Sequence, residues 1–203
     1  KSKEILKFHG IPTADYEVLY KNQGTSRTLD LPVVVKPTNQ GSSLGVTIVK
    51  DESQWKPALE TAFAYSEEVM VEKFIDGKLL AIGMNEMTPM PIIHIRPKSG
   101  FYDYEAKYTS GKTEYICPAD IEEDEADRCR QVAIKVFQVL RGRGFPRVDV
   151  ILDGQGTPQV LEINTIPGMT PTSLLPMAAQ EMGMEFDDLV VEILKTAQLD
   201  YTE

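Results

Sequence analysis

Two hydrophobic periods alternate along this chain. Runs rich in β-branched residues and bounded by glycine, proline or aspartate predict strands: Tyr16 to Leu19, Pro32 to Lys36, Val46 to Lys50, Glu68 to Ile75, Leu79 to Asn85 and Met90 to Arg96. Helical spacing predicts Lys1 to Gly10, closed by its glycine, and Asp51 to Tyr65, with Trp55, Leu59, Ala62 and Phe63 inward. Further helices are expected over Ile121 to Arg141, with Cys129, Ala133, Val136 and Leu140 on one stripe, and over Ser173 to Gln180, capped by its serine. A last one covers Glu185 to Ala197, with Phe186, Leu189, Val190, Ile193 and Leu194 inward. Mixed helices and antiparallel strands make this an α+β chain.

The stretch from Arg147 to Asn164 is a strand, a turn and a strand. With a loop from Asp153 to Gly156, Leu152 pairs with Thr157. Arg147, Asp149 and Ile151 then share a face with Val160, Glu162 and Asn164, while Val148 and Val150 join Leu161 and Ile163 on the other. Oxygen donors on adjacent rigid strands suit Mg²⁺, which leaves positions for water and phosphate. The plain alternative is that the three polar residues simply face solvent. Arg147 is either a partner that holds the carboxylates apart or a stabiliser of charge on a transferring group.

Two loops stand out. Thr38 to Gly45 is rich in glycine and serine between strands; it lacks the helix and Lys-Ser/Thr of a P-loop. It is either a polar turn or a cover for phosphates. Lys98 to Lys112 is aromatic, charged and bounded by glycine, without either period. Long irregular loops in compact domains are usually functional or disordered, and this one is too aromatic for disorder. It is expected as a lid, with a structural loop as the alternative.

Composition narrows the function. With 203 residues the chain makes one large domain or two small ones. A net charge of −10 argues against a nucleic-acid partner, but not against a nucleotide, which needs only a few local cations. No segment has the length of a membrane span and no signal peptide opens the chain. Cys117 and Cys129 form no metal or redox motif, which fits a reducing cytoplasm. His9 and His94 are isolated. The abrupt helical start suggests a piece of a longer protein.

Pro32-Val-Val-Val-Lys-Pro, Gly41-Ser-Ser-Leu-Gly, Val71-Glu-Lys-Phe, Phe101-Tyr-Asp-Tyr-Glu-Ala-Lys-Tyr108, Arg147-Val-Asp and Leu161-Glu-Ile-Asn-Thr-Ile-Pro-Gly-Met-Thr170 together resemble the D-alanine–D-alanine ligases of the ATP-grasp superfamily. The resemblance runs in order along nearly the whole chain. It implies an ATP-grasp fold, in which two α+β subdomains clasp ATP between antiparallel sheets, here residues 1–74 and 75–203. It implies that Lys36 contacts the ATP phosphates, and that Ser42 and Ser43 belong to the phosphate-covering loop. Glu72, Lys73, Phe74 and Ile75 would lie on the strand whose edge reads adenine. Phe101 and Lys107 would come from the lid, with Lys107 reaching the phosphates and Tyr108 selecting the second amino acid. Arg147 would stand beside the acyl phosphate. Asp149, Glu162 and Asn164 would bind Mg²⁺ or Mn²⁺, and Gly168, Ser173 and Leu174 would surround the second substrate. The catalytic set on this basis is Ser42, Lys107, Tyr108, Arg147 and Gly168.

The implied activity joins two D-alanines through a D-alanyl phosphate, for peptidoglycan synthesis in the cytoplasm, with a homodimer expected of the full-length enzyme. This chain departs from the family in two ways. A further N-terminal domain of the family has no counterpart here, so the piece is expected to be poorly active alone. A glutamate that binds the ATP ribose falls at Leu79. The alternatives are a related ligase making a D-alanyl ester or joining another amino acid, and a nucleotide-binding module without turnover, natural or designed.

Overall fold

The computed structural model describes residues 1–98, 102, 106, 109, 111–170 and 172–198. The chain forms two compact units: Lys1–Thr13 with Asp76–Ile95 and Tyr115–Glu203, and Ala14–Ile75 with Arg96–Glu114. These units differ from the expected division at residue 74 in two places. Leu6 of the first helix and the following Ile11 are buried in the core of the C-terminal residues, so Lys1–Thr13 belongs there. Residues 96–114 group instead with the unit that begins at Ala14.

In the first unit, apart from residues 96–97 and 113–114 at the strand ends, β5 (Gly77–Asn85), β6 (Thr88–Pro97), β7 (Thr113–Ile116), β8 (Arg147–Asp153) and β9 (Pro158–Asn164) form a sheet in the order β7-β6-β5-β8-β9. The strand Thr113–Ile116 has no counterpart in the sequence expectation. Helix α1 (Ser2–Phe8) and α3 (Glu123–Val139) share one core with this sheet. That core joins Leu6, Leu80, Ile82, Val148, Val150 and Val160 to Cys129, Ala133 and Val136, so alternate strand residues meet one stripe of α3. Burial pushes the Cys129 thiol up to about 11, so it stays neutral, a small apolar core residue. The first turn of α3 holds Glu123, Asp124 and Glu125, which complement the positive end of the helix dipole.

The edge strand β9 is covered. Val160 N–H donates to the carbonyl of Pro12 (2.8 Å), and the Thr13 hydroxyl donates to the Val160 carbonyl (2.7 Å). The buried Lys3 ammonium in turn donates to Thr13 Oγ1 (2.6 Å). This satisfies edge groups that would otherwise template foreign pairing.

Helices α4 (Leu174–Glu181) and α5 (Phe186–Lys195) close this unit and pack on each other. The inward face expected for α5 is corrected: only Leu189 is fully buried, while Phe186 is 44% and Leu194 66% exposed. Val190 and Ile193 are half-buried, so the apolar face of this helix is covered only in part.

In the second unit, β1 (Tyr16–Tyr20), β2 (Val33–Pro37), β3 (Thr47–Val49) and β4 (Glu68–Lys73) pair antiparallel in the order β1-β4-β2-β3. Helix α2 (Trp55–Phe63) follows a 3-10 turn, Glu52–Gln54. Asp51 caps that turn: its carboxylate accepts from Ser53 N–H (3.0 Å), and Gln54 reaches back to Asp51 N–H (3.4 Å). Val33, Val35, Val49, Val69 and Val71 pack against Ala58, Leu59, Ala62 and Phe63. The polar segment after β1 is tied to α2, since Trp55 Nε1 donates to Thr25 O (2.9 Å) and the Arg27 guanidinium lies 5.6 Å from the Trp55 ring centroid.

Candidate active site

Pairing in β8–β9 corrects the expected hairpin. Leu152 pairs with Pro158, Ile151 with Gln159 and Val150 with Val160, one residue offset from the expected register. The turn is one residue longer because the Asp153 carboxylate organises it, accepting from the N–H groups of Gln155 and Thr157 at 2.9 Å each. A register shift follows between Val150 and Asp149, leaving Leu161 as an extra residue. Beyond it Asp149 pairs with Glu162, Val148 with Ile163 and Arg147 with Asn164. Val160, expected on the polar face, is therefore fully buried in the core, while Arg147, Asp149, Glu162 and Asn164 share the other face as expected.

Across β5, Ala81 pairs with Asp149, Gly83 with Arg147 and Leu79 with Ile151. Leu79, Ala81 and Gly83 thus stand on the same face as the carboxylates, opposite the face that packs on α3. Helix α4 also meets β5: a Cβ on Gly83 would come within 2.9 Å of Leu175 Cδ1 and 3.0 Å of Met90 Sδ.

Arg147 grips Asp149 with two hydrogen bonds, Nε to Oδ1 at 2.7 Å and Nη2 to Oδ2 at 2.8 Å. Both side chains are largely buried, at 16% and 11% exposed, so the pair is charge-assisted and weakly screened. Glu162 is exposed. The Asn164 amide oxygen accepts from Ile166 N–H (3.2 Å), fixing the direction in which the chain leaves β9. No group of three His, Cys, Asp or Glu side chains able to hold a metal occurs among the described residues. The oxygen donors here are two carboxylates and one amide.

After β9, Ser173 organises the loop to α4. Its N–H donates to Thr170 O (2.9 Å), its Oγ accepts from Thr170 N–H (3.0 Å), and a Cβ on Gly168 would approach that Oγ to 2.9 Å. Ser173 is the N-cap residue, but its side chain makes no capping bond to α4; it turns back to the loop instead. Gly168 and Ser173 are therefore brought together, and Leu174 next to them is buried.

In the second unit, Lys36 pairs with the carboxylate of the buried Glu72. Both stand on the sheet face opposite α2, since Val34 pairs with Glu72 and Lys36 with Met70. Lys73 ends β4 exposed; its N–H donates to Asp15 O (2.8 Å), and that of Phe74 to Pro32 O (3.1 Å), while Phe74 and Ile75 are half-buried. Ser42 and Ser43 are left-handed, with φ of 54° and 57°, and Ser43 Oγ donates to Tyr102 O (3.2 Å). Phe101, Lys107 and Tyr108, with most of the expected lid, lie outside the described residues.

Sequence reasoning left His94 unassigned. It is buried, with Nδ1 2.5 Å from Asp120 Oδ1, and Lys78 Nζ donates to Asp120 O (2.9 Å). These contacts join β5 and β6 to the segment leading into α3. Nothing in the spacing of 94 and 120 signals the contact.

Residues 5–195 match the family model described as D-ala D-ala ligase C-terminus. A protein named D-alanine--D-alanine ligase from Syntrophotalea carbinolica is 45% identical over 98% of this chain, and one of the same name from Methylacidiphilum infernorum is 42% identical over 98%. The chain spans 65% of the length of each of these relatives. Among solved structures, a D-alanine--D-alanine ligase from Bacillus anthracis superposes with a TM-score of 0.85 at 35% identity, covering 96% of this chain and 65% of that one. The structure of the Bacillus anthracis ligase complexed with ATP gives 0.82 at 31% identity, over 96% and 63%. The fold is thus the ATP-grasp fold, and the chain belongs to the D-ala D-ala ligase C-terminus family.

Proposed function

We propose that this chain is the ATP-grasp part of a D-alanine–D-alanine ligase and binds ATP with Mg²⁺ or Mn²⁺. The observation that carries this is the shared face of β8 and β9, where Asp149 and Glu162 pair across the strands beside Arg147 and Asn164. Two carboxylates and an amide oxygen fit a hard divalent cation, which takes one or two carboxylates and completes its shell with water and phosphate. When bound, the ion would neutralise phosphate charge. The ATP complex of a solved relative supports the nucleotide.

The residues then have distinct tasks. Lys36, Ser42, Ser43 and Lys107 hold the phosphates, and Glu72, Lys73, Phe74, Ile75 and Phe101 the remainder of the nucleotide. The carboxylate of the first D-alanine attacks the γ-phosphorus and ADP leaves, giving D-alanyl phosphate. The amine of the second D-alanine attacks its carbonyl carbon; phosphate leaves and the amine proton is lost. Arg147 stabilises charge on the transferring group. Tyr108, Gly168, Ser173 and Leu174 place the second amino acid, and the segment around Lys107 excludes water from the acyl phosphate. The dipeptide would serve peptidoglycan synthesis in the cytoplasm, and the full-length protein would form a homodimer.

Phosphate release from ATP and Mg²⁺ with and without D-alanine tests this. D-alanine-dependent release supports ligation. ATP binding without such release is expected both of a nucleotide-binding module, a reading that Leu79 at the ribose position also supports, and of a ligase portion that turns over poorly alone. Absence of ATP binding overturns both.

A further inference from the structure

Both ends of the serine loop in the second unit are fastened to the segment from Tyr65 to Glu68 that leads from α2 into β4. At the entry, Thr38 donates through its N–H and its hydroxyl to the carbonyl of Glu68, at 3.2 and 3.3 Å. Gln40 Nε2 donates to the carbonyl of Tyr65 (3.4 Å). At the exit, Gly45 has φ +70°, and a Cβ there would come within 2.9 Å of both Pro37 Cγ and Tyr65 Cδ2. The Tyr65 ring thus lies against the backbone at Gly45, where any side chain would displace it.

Between these anchors the loop is unfavourable on its own terms. Ser42 and Ser43 are consecutive left-handed residues that carry a Cβ, a conformation that persists only when its surroundings enforce it. Inside the loop, Leu44 N–H donates to Gly41 O (3.1 Å) and Val46 N–H to Ser43 O (3.3 Å). Tyr65 is 46% exposed and is not among the residues packed in this unit's core. Core packing therefore does not fix the ring, whose neighbour is the backbone at Gly45.

We propose that Tyr65 is a positioning residue for the Ser42–Ser43 loop, holding through its ring at Gly45 and its carbonyl at Gln40 the loop shape that meets the nucleotide phosphates. This rests on the nucleotide reading above. The atom against Gly45 is a ring carbon, so Tyr65→Phe keeps that contact and Tyr65→Ala removes it, while the backbone carbonyl that Gln40 meets stays in both.

The test combines amide exchange without nucleotide and calorimetric titration with ATP and with adenosine, which lacks phosphates. In Tyr65→Ala, the Leu44 and Val46 amides should exchange about tenfold faster, a local opening that leaves the melting temperature near the parent's. ATP should bind about tenfold more weakly, while adenosine affinity stays unchanged. Tyr65→Phe should match the parent in all three. Gly45→Ala, which pushes on Pro37 as well as on the ring and strains a left-handed backbone, should speed exchange at Leu44 and Val46 at least as much and lower the melting temperature too. Parent-like exchange at Leu44 and Val46 in Tyr65→Ala overturns the proposal, as does an equal loss of ATP and adenosine. A parent that binds no ATP overturns the nucleotide reading and the loop's assigned purpose, while the exchange rates still decide whether Tyr65 holds the loop.

Discussion

Asp149 and Glu162 stand directly across from each other on β8 and β9, and the extra residue at Leu161 brings them there. Carried on from the turn without a shift, the register would set Asp149 against Leu161 and leave the two carboxylates on opposite faces of the sheet. One inserted residue restores the pairing and leaves Val150 and Val160 together in the core. Bulges often mark sites where a side chain must be re-aimed.

The two carboxylates should respond differently to substitution. Glu162 is exposed, so Glu162→Gln should leave the ligand-free melting temperature unchanged while weakening Mg·ATP binding. Asp149 is buried and gripped by Arg147, so Asp149→Asn should also destabilise. A hydrogen bond to a charged group is worth about 1.5–3 kcal/mol, and at about 2–4 °C per kcal/mol for a chain of this size the drop is several degrees. Calorimetric titration and melting curves check both. Undiminished Mg·ATP binding by either variant removes that residue from the metal site.

Asp153 sets the hairpin that carries the site. Its partial burial raises its pKa, but the Thr157 N–H, the Gln159 amide and the Gln155 N–H together outweigh that and leave it lowered. A folded-state pKa below the unfolded value, near 3.9, means a contribution fully present above about pH 4 and lost as pH falls through the folded pKa. Asp153→Ala should therefore melt below the parent at pH 7, and the gap should narrow as the buffer is taken below pH 4. A gap that stays constant with pH assigns the loss to something other than the carboxylate.

Strong periods were legible. The β-branched alternation around Val35 and Val71 and the stripe through Cys129 and Ala133 lie where spacing places them. Polar convergence at Arg147, Asp149, Glu162 and Asn164 was legible too, although the register that produces it was not, because alternation carries no mark of an inserted residue. The inward face of α5 was misread because spacing defines an apolar stripe without saying whether a neighbour covers it. Thr113–Ile116 was missed because four residues are too few to show a period. The pairing of Lys36 with Glu72 and of His94 with Asp120 joins residues far apart in sequence, which only the tertiary fold reveals.

Two glycines of β5 should differ sharply. A Cβ on Gly77 would sit 2.2 Å from the backbone oxygen of Leu152, which cannot swing aside without moving β8. On Gly83 the obstacles are the ends of the Leu175 and Met90 side chains, which rotate. Overpacking costs about 1–3 kcal/mol and occasionally more; Gly77→Ala should lie at or above the top of that range and Gly83→Ala near the bottom. Urea unfolding of both variants measures it, and equal losses would show that β8 yields as easily as a side chain.

Leu79 stands on the site face of the sheet, paired with Ile151, half-buried and two residues along β5 from the partner of Asp149. It is absent from the core that packs on α3. In the family that this chain resembles, a glutamate here accepts hydrogen bonds from the ribose hydroxyls, which leucine cannot do. A hydrogen bond to a charged group is worth about 1.5–3 kcal/mol, or roughly ten- to hundredfold in affinity. The chain should therefore bind ATP weakly and barely distinguish it from 2′-deoxy-ATP. Leu79→Glu should tighten ATP and create a preference for the ribose hydroxyl. Its half-buried position away from the α3 core should let the new carboxylate keep water, so the melting temperature should fall little. Calorimetric titration with both nucleotides and a melting curve decide the matter. A variant that melts early and gains no affinity shows that Leu79 serves packing, and that the ribose is held elsewhere or not at all.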